Sequence, residues 1–311
     1  MDPSSTSLSV EENDAAVAAA PRGLSRRQLL RNWITCGVLA AVGAGYTREI
    51  EPFWLEEPEL PMPLHGLPAS FENFRLIQLT DLHASNNVPL DYLQSVVQRV
   101  NRRKPDLVVV TGDLVTHAIE WVAPICAVLA GLKAQVIVTL GNHDYDVNSM
   151  PAGLPTRVAD AIEERCAAHG MTVLRNQAMA VSRAGRRLWI VGLEDLWSGR
   201  FNPEFAFAKV DPSDPVICLS HNPDTAMALD AYGPQWILSG HTHGGQVRLP
   251  GIGALLINVQ NRQFQQGQFA LPHSTLYVSR GVGYLKKVRL FCRPEVPCFV
   301  MHQATSRHNN A

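Results

Sequence analysis

Five short apolar or β-branched runs each give way, within a residue or two, to aspartate, asparagine or histidine. Arg75-Leu76-Ile77-Gln78-Leu79-Thr80 is followed by Asp81-Leu82-His83, and Asp106 to Thr111 by Gly112-Asp113. Gln135 to Leu140 is followed by Gly141-Asn142-His143-Asp144, Pro215 to Leu219 by His221, and Gln235 to Leu238 by Gly240-His241-Thr242-His243. Runs of this length and composition read as buried strands. In open α/β sheets the ligand site lies outside the carboxyl ends of the strands. The pattern therefore predicts a fold that brings five strand ends to one rim. With them come Asp81, Asp113, Asn142 and five of the chain's eleven histidines, with Asp144 beside them.

Each piece alone has a plainer reading. Asp-x-His before a helix can be an N-cap with a passenger histidine. Gly-Asp after a strand is a common turn, a lone His221 suits a core or surface position, and His-x-His can be two polar residues in a bend. Five such pieces at five strand ends are poorly explained that way.

The stretches between the strands support an alternating plan. Leu90 to Val100 has apolar residues at 90, 93, 96, 97 and 100, which is helical spacing. Ile119 to Leu132, interrupted at Pro124, and Thr156 to His169 are two further helices. Thr172 to Leu174, Ala178 to Ser182 and Leu188 to Leu193 read as strands, with Ala184-Gly185 as a hairpin turn. Beyond Gln246 the segments are short and β-like: 246–249, 275–279, 287–291 and 296–301. Alternating α and β followed by mostly β implies an α/β class with a mixed sheet or two facing sheets.

The chain is 46% hydrophobic and 18% charged over 311 residues, which suits a globular core. Its formal net charge of −1 offers no bulk electrostatic case for nucleic-acid binding. Residues 1–24 read as disordered. Ser25-Arg26-Arg27-Gln28-Leu29-Leu30-Arg31, followed by the uncharged stretch from Asn32 to Thr47, resembles a twin-arginine export signal. That implies an exported, periplasmic or cell-envelope protein with the Tat export machinery as a partner. An uncleaved membrane anchor is the alternative, since no clean cleavage site is visible, and a cytoplasmic location fits the segment less well. Residues 48–73, with five prolines and a cluster of acids, read as a linker or an extended edge segment. The folded domain is expected over 74–302, with a polar tail at 303–311. None of the six cysteines forms a CxxC pair; Cys292 and Cys298 are candidates for pairing in an oxidising compartment.

Carboxylate and imidazole without thiolate suit divalent manganese, zinc or iron. Two metals about 3.5–4 Å apart need a bridging ligand. A carboxylate has two oxygens for that task, and Asp113 is the natural candidate. Asn142 offers a neutral carbonyl oxygen and so limits the negative charge presented to a phosphate.

The series Asp81-Leu82-His83, Gly112-Asp113, Gly141-Asn142-His143-Asp144, His221 and Gly240-His241-Thr242-His243 resembles the calcineurin-like metallophosphoesterases over about residues 74–302. Gly240 to Gln246 with Leu249-Pro250-Gly251, and Ser279-Arg280-Gly281 with Phe291-Cys292-Arg293-Pro294-Glu295, resemble the exported YaeI/YkuE-type phosphodiesterase branch. The resemblance implies a four-layer α/β/β/α sandwich with mixed sheets and a site for two divalent metal ions. Asp81, His83 and His243 would hold one ion, Asn142, His221 and His241 the other, and Asp113 would bridge. His143 would face the scissile phosphate as a general acid or electrostatic stabiliser. One departure is Thr116, which stands where many members carry a second acid.

The expected reaction is hydrolysis of a small phosphoester substrate, a diester in the first instance, by a water or hydroxide bridging the metals. A phosphomonoesterase and a hydrolase of nucleotide-linked lipid or sugar diphosphates are the enzymatic alternatives. A metal-binding interaction module is the non-enzymatic one. Asp144 is a candidate either to orient His143 or simply to cap its loop, Arg280 either to contact substrate or to be a structural surface arginine, and Asp195 to support the site from behind. Specificity is expected in the loops at 84–89, 145–156, 196–210 and 260–274, none of which carries a readable code.

Overall fold

The computed structural model describes residues 25–145, 156–255 and 257–304. Residues 1–24, nearly all of the 145–156 loop and the tail beyond Ala304 lie outside the described residues, so the expectations for them do too. The first half of the chain gives α1 (Arg26–Gly45), β1 (Glu59–Leu64), β2 (Arg75–Leu79), α2 (Leu90–Arg102), β3 (Leu107–Thr111), α3 (Val122–Leu129), β4 (Gln135–Thr139) and α4 (Arg157–Ala168). Next come β5 (Thr172–Val173), β6 (Gln177–Arg183), β7 (Arg186–Gly192), α5 (Pro203–Phe207), β8 (Val216–Leu219), α6 (Ala226–Asp230) and β9 (Trp236–Ser239). The chain ends with β10 (Arg248–Leu249), β11 (Gly253–Ala254), β12 (Gly267–Ala270), β13 (Thr275–Val278) and β14 (Cys298–Gln303).

Two six-stranded sheets form, in the orders β1-β14-β2-β3-β4-β5 and β12-β13-β9-β8-β7-β6. Each has a parallel centre and antiparallel pairings nearer its flanks. In the first, β2, β3, β4 and β5 are parallel and β14 runs against β2. In the second, β7, β8, β9 and β13 are parallel, with β6 and β12 antiparallel at the edges.

Successive side chains of a strand point to opposite faces, and here both faces are covered. On β3, Val108 and Val110 pack under helices α2, α3 and α4, while Leu107 and Val109 enter the core between the sheets. On β9, Trp236 and Leu238 enter that same middle core, while Ile237 packs outward with Ala226 and Leu229 of α6. The result is the four-layer α/β/β/α sandwich with mixed sheets. Helix α2 shows how one face is fixed. Leu93, Val96, Val97 and Val100 are buried, each worth about 1.5–3 kcal/mol of transfer free energy. Asp91 in its first turn and Arg99 and Arg102 in its last complement the helix dipole.

Several sequence expectations are narrowed or corrected. Of the two readings of the 48–73 segment, the extended edge segment is the one found, not the linker. Residues 59–64 are the edge strand β1, paired in parallel with β14. Met62 and Leu64 turn inward, Pro61 and Pro63 outward. Proline lacks the amide a central strand must donate, so an edge is where such a strand belongs. Pro124 does not break its helix, because it lies in the first turn of α3, where no intrahelical donor is required. Residues 287–291 form no strand; Leu290 makes only an isolated bridge to Val247. The segment instead buries Arg289, whose guanidinium donates to the carbonyls of Arg280, Gly283 and Cys292. Cys292 and Cys298 are free thiols, and the Cys292 Sγ donates to the carbonyl of His243.

Helix α1 forms a compact unit separate from the sandwich. It carries Arg26, Arg27 and Arg31 at its start and no charge thereafter. No helix of the described residues is long and apolar enough to cross a membrane.

Candidate metal centre

The parallel strands of both sheets deliver their following loops to one place. The loops after β2 and β3 stay in register beyond the strands: the Asp81 amide donates to the Gly112 carbonyl, His83 to Asp113, and Ala84 to Leu114. The Gly240 amide donates to the His221 carbonyl. Buried Gln78 donates to Thr111 Oγ1 within its own sheet and, across to the other sheet, to the carbonyl of Ser239.

The turns are sharp. Asp81, His83, Asp113, His241 and His243 all have φ between 49° and 69°. A side chain in that region costs roughly 1–2 kcal/mol. Strain of this kind persists where surrounding structure imposes it, and it gathers at functional sites. Gly112 (φ 94°) is obligatory here, because a β-carbon would lie 2.5 Å from the Gly141 amide nitrogen and 2.7 Å from His221 Nδ1.

The first cluster contains Asp81, His83 and His243. His243 Nε2 lies 3.2 Å from Asp81 Oδ1 and 3.0 Å from His83 Nε2. The second contains Asn142, His221 and His241. His241 Nδ1 lies 2.9 Å from Asn142 Oδ1 and 3.3 Å from His221 Nε2. Between them stands Asp113, whose Oδ2 is 3.5 Å from His83 Nε2 and 3.2 Å from His221 Nε2. All of these side chains except partly exposed His241 are buried.

The outward hydrogen bonds set the tautomers. His83 Nδ1 faces Thr116 Oγ1 at 3.0 Å, His221 Nδ1 donates to the Thr111 carbonyl at 2.8 Å, and His241 Nε2 donates to the Asn258 carbonyl at 3.0 Å. The two carbonyls place a hydrogen on the outer nitrogen of His221 and of His241, so the inner nitrogen is the one that would bind a metal when the ring is neutral. The Thr80 hydroxyl donates to Asp81 Oδ2 and the His241 amide is shared between both carboxylate oxygens, while Oδ1 also faces His83 and His243. These donors fit a divalent ion: neutral imidazoles, carboxylates and an amide carbonyl, converging from buried and hydrogen-bonded positions. Asp81, His83 and His243, and likewise Asp81, Asp113 and His221, bring ligand atoms within 4.8 Å of one another.

The electrostatics agree. Burial, reinforced by neighbouring imidazoles, lowers His83 and His241 to about 3 and His243 well below its ordinary value. All three are therefore neutral, whereas at His221 burial is outweighed by the Asp113 carboxylate, which raises it to about 10, so metal must displace a proton there. Burial also opposes the Asp113 charge, but His221 and His143 outweigh it and hold Asp113 well below the usual carboxylate range. Burial, with the Asp113 charge, raises Asp81 to about 7.

The remaining candidates take other positions. Asp144 does not engage His143. Its carboxylate accepts from the amides of Gly141, Leu114 and Val115, pinning the loop after β4 to the loop after β3. His143 instead donates its backbone amide to Asp113 Oδ1 at 2.9 Å. The Arg280 guanidinium is taken up by buried Glu295 and by Glu56. Asp195 caps the turn at Leu196–Ser198 by accepting from the Trp197 amide. Trp197 then meets His241 edge-on, with ring centroids 4.6 Å apart. Asp195 thus reaches the site through Trp197.

Sequence reasoning missed Trp197, Asn258 and His117. His117 Nε2 lies 2.7 Å from His143 Nδ1. Its spacing four residues after Asp113 was the one available signal, and a surface histidine before a helix would look the same.

Residues 74–245 match the model of the calcineurin-like phosphoesterase family. The chain is 32% identical over 291 residues to the metallophosphoesterase YkuE of Bacillus subtilis, covering 89% of this chain and 98% of that one. It is 34% identical over 280 residues to phosphodiesterase YaeI of Escherichia coli, covering 88% and 97%. It is also 30% identical over 301 residues to the UDP-2,3-diacylglucosamine pyrophosphatase LpxG of Chlamydia trachomatis, covering 82% and 91%.

Proposed function

Since the chain belongs to the calcineurin-like phosphoesterase family, we propose that it hydrolyses phosphodiesters on a pair of divalent metal ions. Asp81, His83 and His243 hold one ion, Asn142, His221 and His241 the other, and Asp113 spans both. The observation that carries this reading is the placing of Asp113 Oδ2 within 3.5 Å of an imidazole from each cluster. Bound there, manganese, zinc or iron supplies an activated water and neutralises charge on the phosphoryl oxygens.

The protein's own groups do the rest. The Asp113 carboxylate has divided duties: Oδ2 faces the two clusters, while Oδ1 holds the His143 amide. One carboxylate thereby fixes His143 relative to the ligands. The ring N–H of His143 would hydrogen-bond the departing oxygen and stabilise the charge that grows on it, a contribution of roughly 100- to 1,000-fold in rate.

The diester preference draws support from the phosphodiesterase YaeI. The pyrophosphatase LpxG keeps a second reading open, cleavage of a nucleotide-linked lipid diphosphate. We propose too that the arginine-paired segment at the start of α1 directs export through the Tat machinery or tethers the chain at a membrane.

The test is a metal-loaded sample assayed on bis-p-nitrophenyl phosphate, p-nitrophenyl phosphate and a UDP-linked diphosphate. Turnover of the diester above both others supports the proposal. Preference for the UDP-linked substrate selects the second reading. Metal uptake with no turnover on any of them points to a binding module.

A further inference from the structure

Among the described residues, twelve non-glycine positions have positive φ. Five are the metal-site residues named above, and a sixth is His117 at φ 58°. Nothing about a loop histidine requires that conformation. Its consequence is to bring the His117 ring against His143: the centroids are 4.2 Å apart, and Nε2 of His117 is 2.7 Å from Nδ1 of His143. His117 is partly exposed, whereas His143 is buried. The neighbouring Thr116 is already engaged at His83 Nδ1, and Asp144 is engaged by three backbone amides.

We propose that His117 is a positioning residue that sets the tautomer and orientation of His143. His117 Nε2–H donates to His143 Nδ1. A neutral imidazole that accepts at one nitrogen carries its hydrogen on the other. His143 therefore bears its hydrogen on Nε2, the nitrogen left for the leaving group. One ring nitrogen of His143 lies within 4.8 Å of ligand atoms of His83 and Asp113, so the ring borders the reacting centre. A second ring, His83, meets it edge-on with centroids 4.9 Å apart. His117 and His83 together leave the ring little freedom to rotate. This inference rests on the hydrolytic role given to His143 above.

The test compares His117→Ala with His117→Gln in the full chain, loaded with manganese for kinetics and with zinc for nitrogen-15 NMR of the histidine rings. A glutamine amide donates as the imidazole does; alanine cannot. His117→Ala is expected to lower kcat by roughly 10- to 100-fold, with KM and bound metal unchanged. The His143 Nδ1 and Nε2 resonances should lose their distinct single-tautomer pattern. His117→Gln is expected to restore much of kcat and the pattern. The proposal is overturned by unchanged kcat and unmoved His143 resonances in His117→Ala. It is also overturned by a fall in bound metal that accounts for the lost rate, or by a glutamine variant no better than alanine. If the wild-type protein hydrolysed no ester, the reading of function would fall, while the ring resonances would still decide the contact.

Discussion

The Nε2 atoms of His83 and His243 lie 3.0 Å apart, although 160 residues separate them in the chain. Both rings are neutral because burial disfavours the charged form of each, helped at His83 by His143 and His221 and at His243 by His83. Asp81 Oδ1 stands beside them, 3.2 Å from His243 Nε2. Electron-rich atoms crowded together in this way gain most from a cation among them. Adding manganese to metal-free protein should therefore raise the melting temperature. Ligand at a hundred times its Kd contributes about 2.7 kcal/mol. His243→Ala should lose most of the contribution of the first cluster while keeping that of the second. Thermal melts across a metal titration, with metal counted per chain, check this.

Metal and proton compete at His221. Burial would lower its pKa, but the Asp113 carboxylate 3.2 Å from Nε2 overrides that and holds it at about 10 in the metal-free protein. The folded value lies above the ordinary 6.5, so this cation stabilises the metal-free fold fully below pH 6.5. The contribution is lost as pH rises through 10. Metal needs the same Nε2 without its proton. Affinity at the second cluster should therefore climb with pH, approaching tenfold per unit below pH 10. Calorimetry at pH 8 in buffers of different ionisation heat should show about one proton released on filling that cluster.

The strand ends were legible because their β-branched runs are buried on both faces and could be nothing else. β2, β3, β4, β8 and β9 appear where the apolar runs lie, and the polar residues after them meet at one centre. β1 was legible only as one of two alternatives, linker or extended edge. Its prolines suit either until β14, more than 200 residues away, pairs along one side of it. For Asp144 sequence adjacency left two roles open, orienting His143 or capping the loop, and the second is the one found. In the tight turn at Asn142–Tyr145 the two side chains diverge, and Asp144 turns back to the amides. Trp197 and His117 reach the site only through tertiary packing, which no local pattern encodes.

Gly281 has φ 69°, and a β-carbon there would lie 2.7 Å from the Asp81 β-carbon. Gly281→Ala should cost roughly 2–4 kcal/mol from strain and overpacking together. It should also weaken the first cluster by displacing Asp81. Gly185→Ala is the matched control: φ is 74°, but no atom lies within 4 Å. It should lose only about 1–2 kcal/mol and bind metal normally. Denaturant unfolding with metal analysis distinguishes the two.

Arg280 is predicted to act on stability rather than on substrate. Its guanidinium satisfies Glu295, which is only 3% exposed. Removing one partner of a buried pair leaves an uncompensated charge, at a cost of about 3–5 kcal/mol. Arg280→Gln should lower the unfolding midpoint accordingly, with KM for the diester unchanged in the folded fraction. A raised KM at unchanged stability would instead place Arg280 in the substrate site.

The most direct test of the central claim is metal stoichiometry and diester turnover measured on the same samples of wild type and Asp113→Asn. The wild type should carry two ions per chain and hydrolyse bis-p-nitrophenyl phosphate, with activity lost to a chelator and regained on adding metal. Asp113→Asn should drop to one ion or fewer and lose at least about 100-fold in turnover. A wild type that is fully active with a single ion, or an Asp113→Asn protein that keeps both ions and its rate, would contradict a two-metal centre spanned by Asp113.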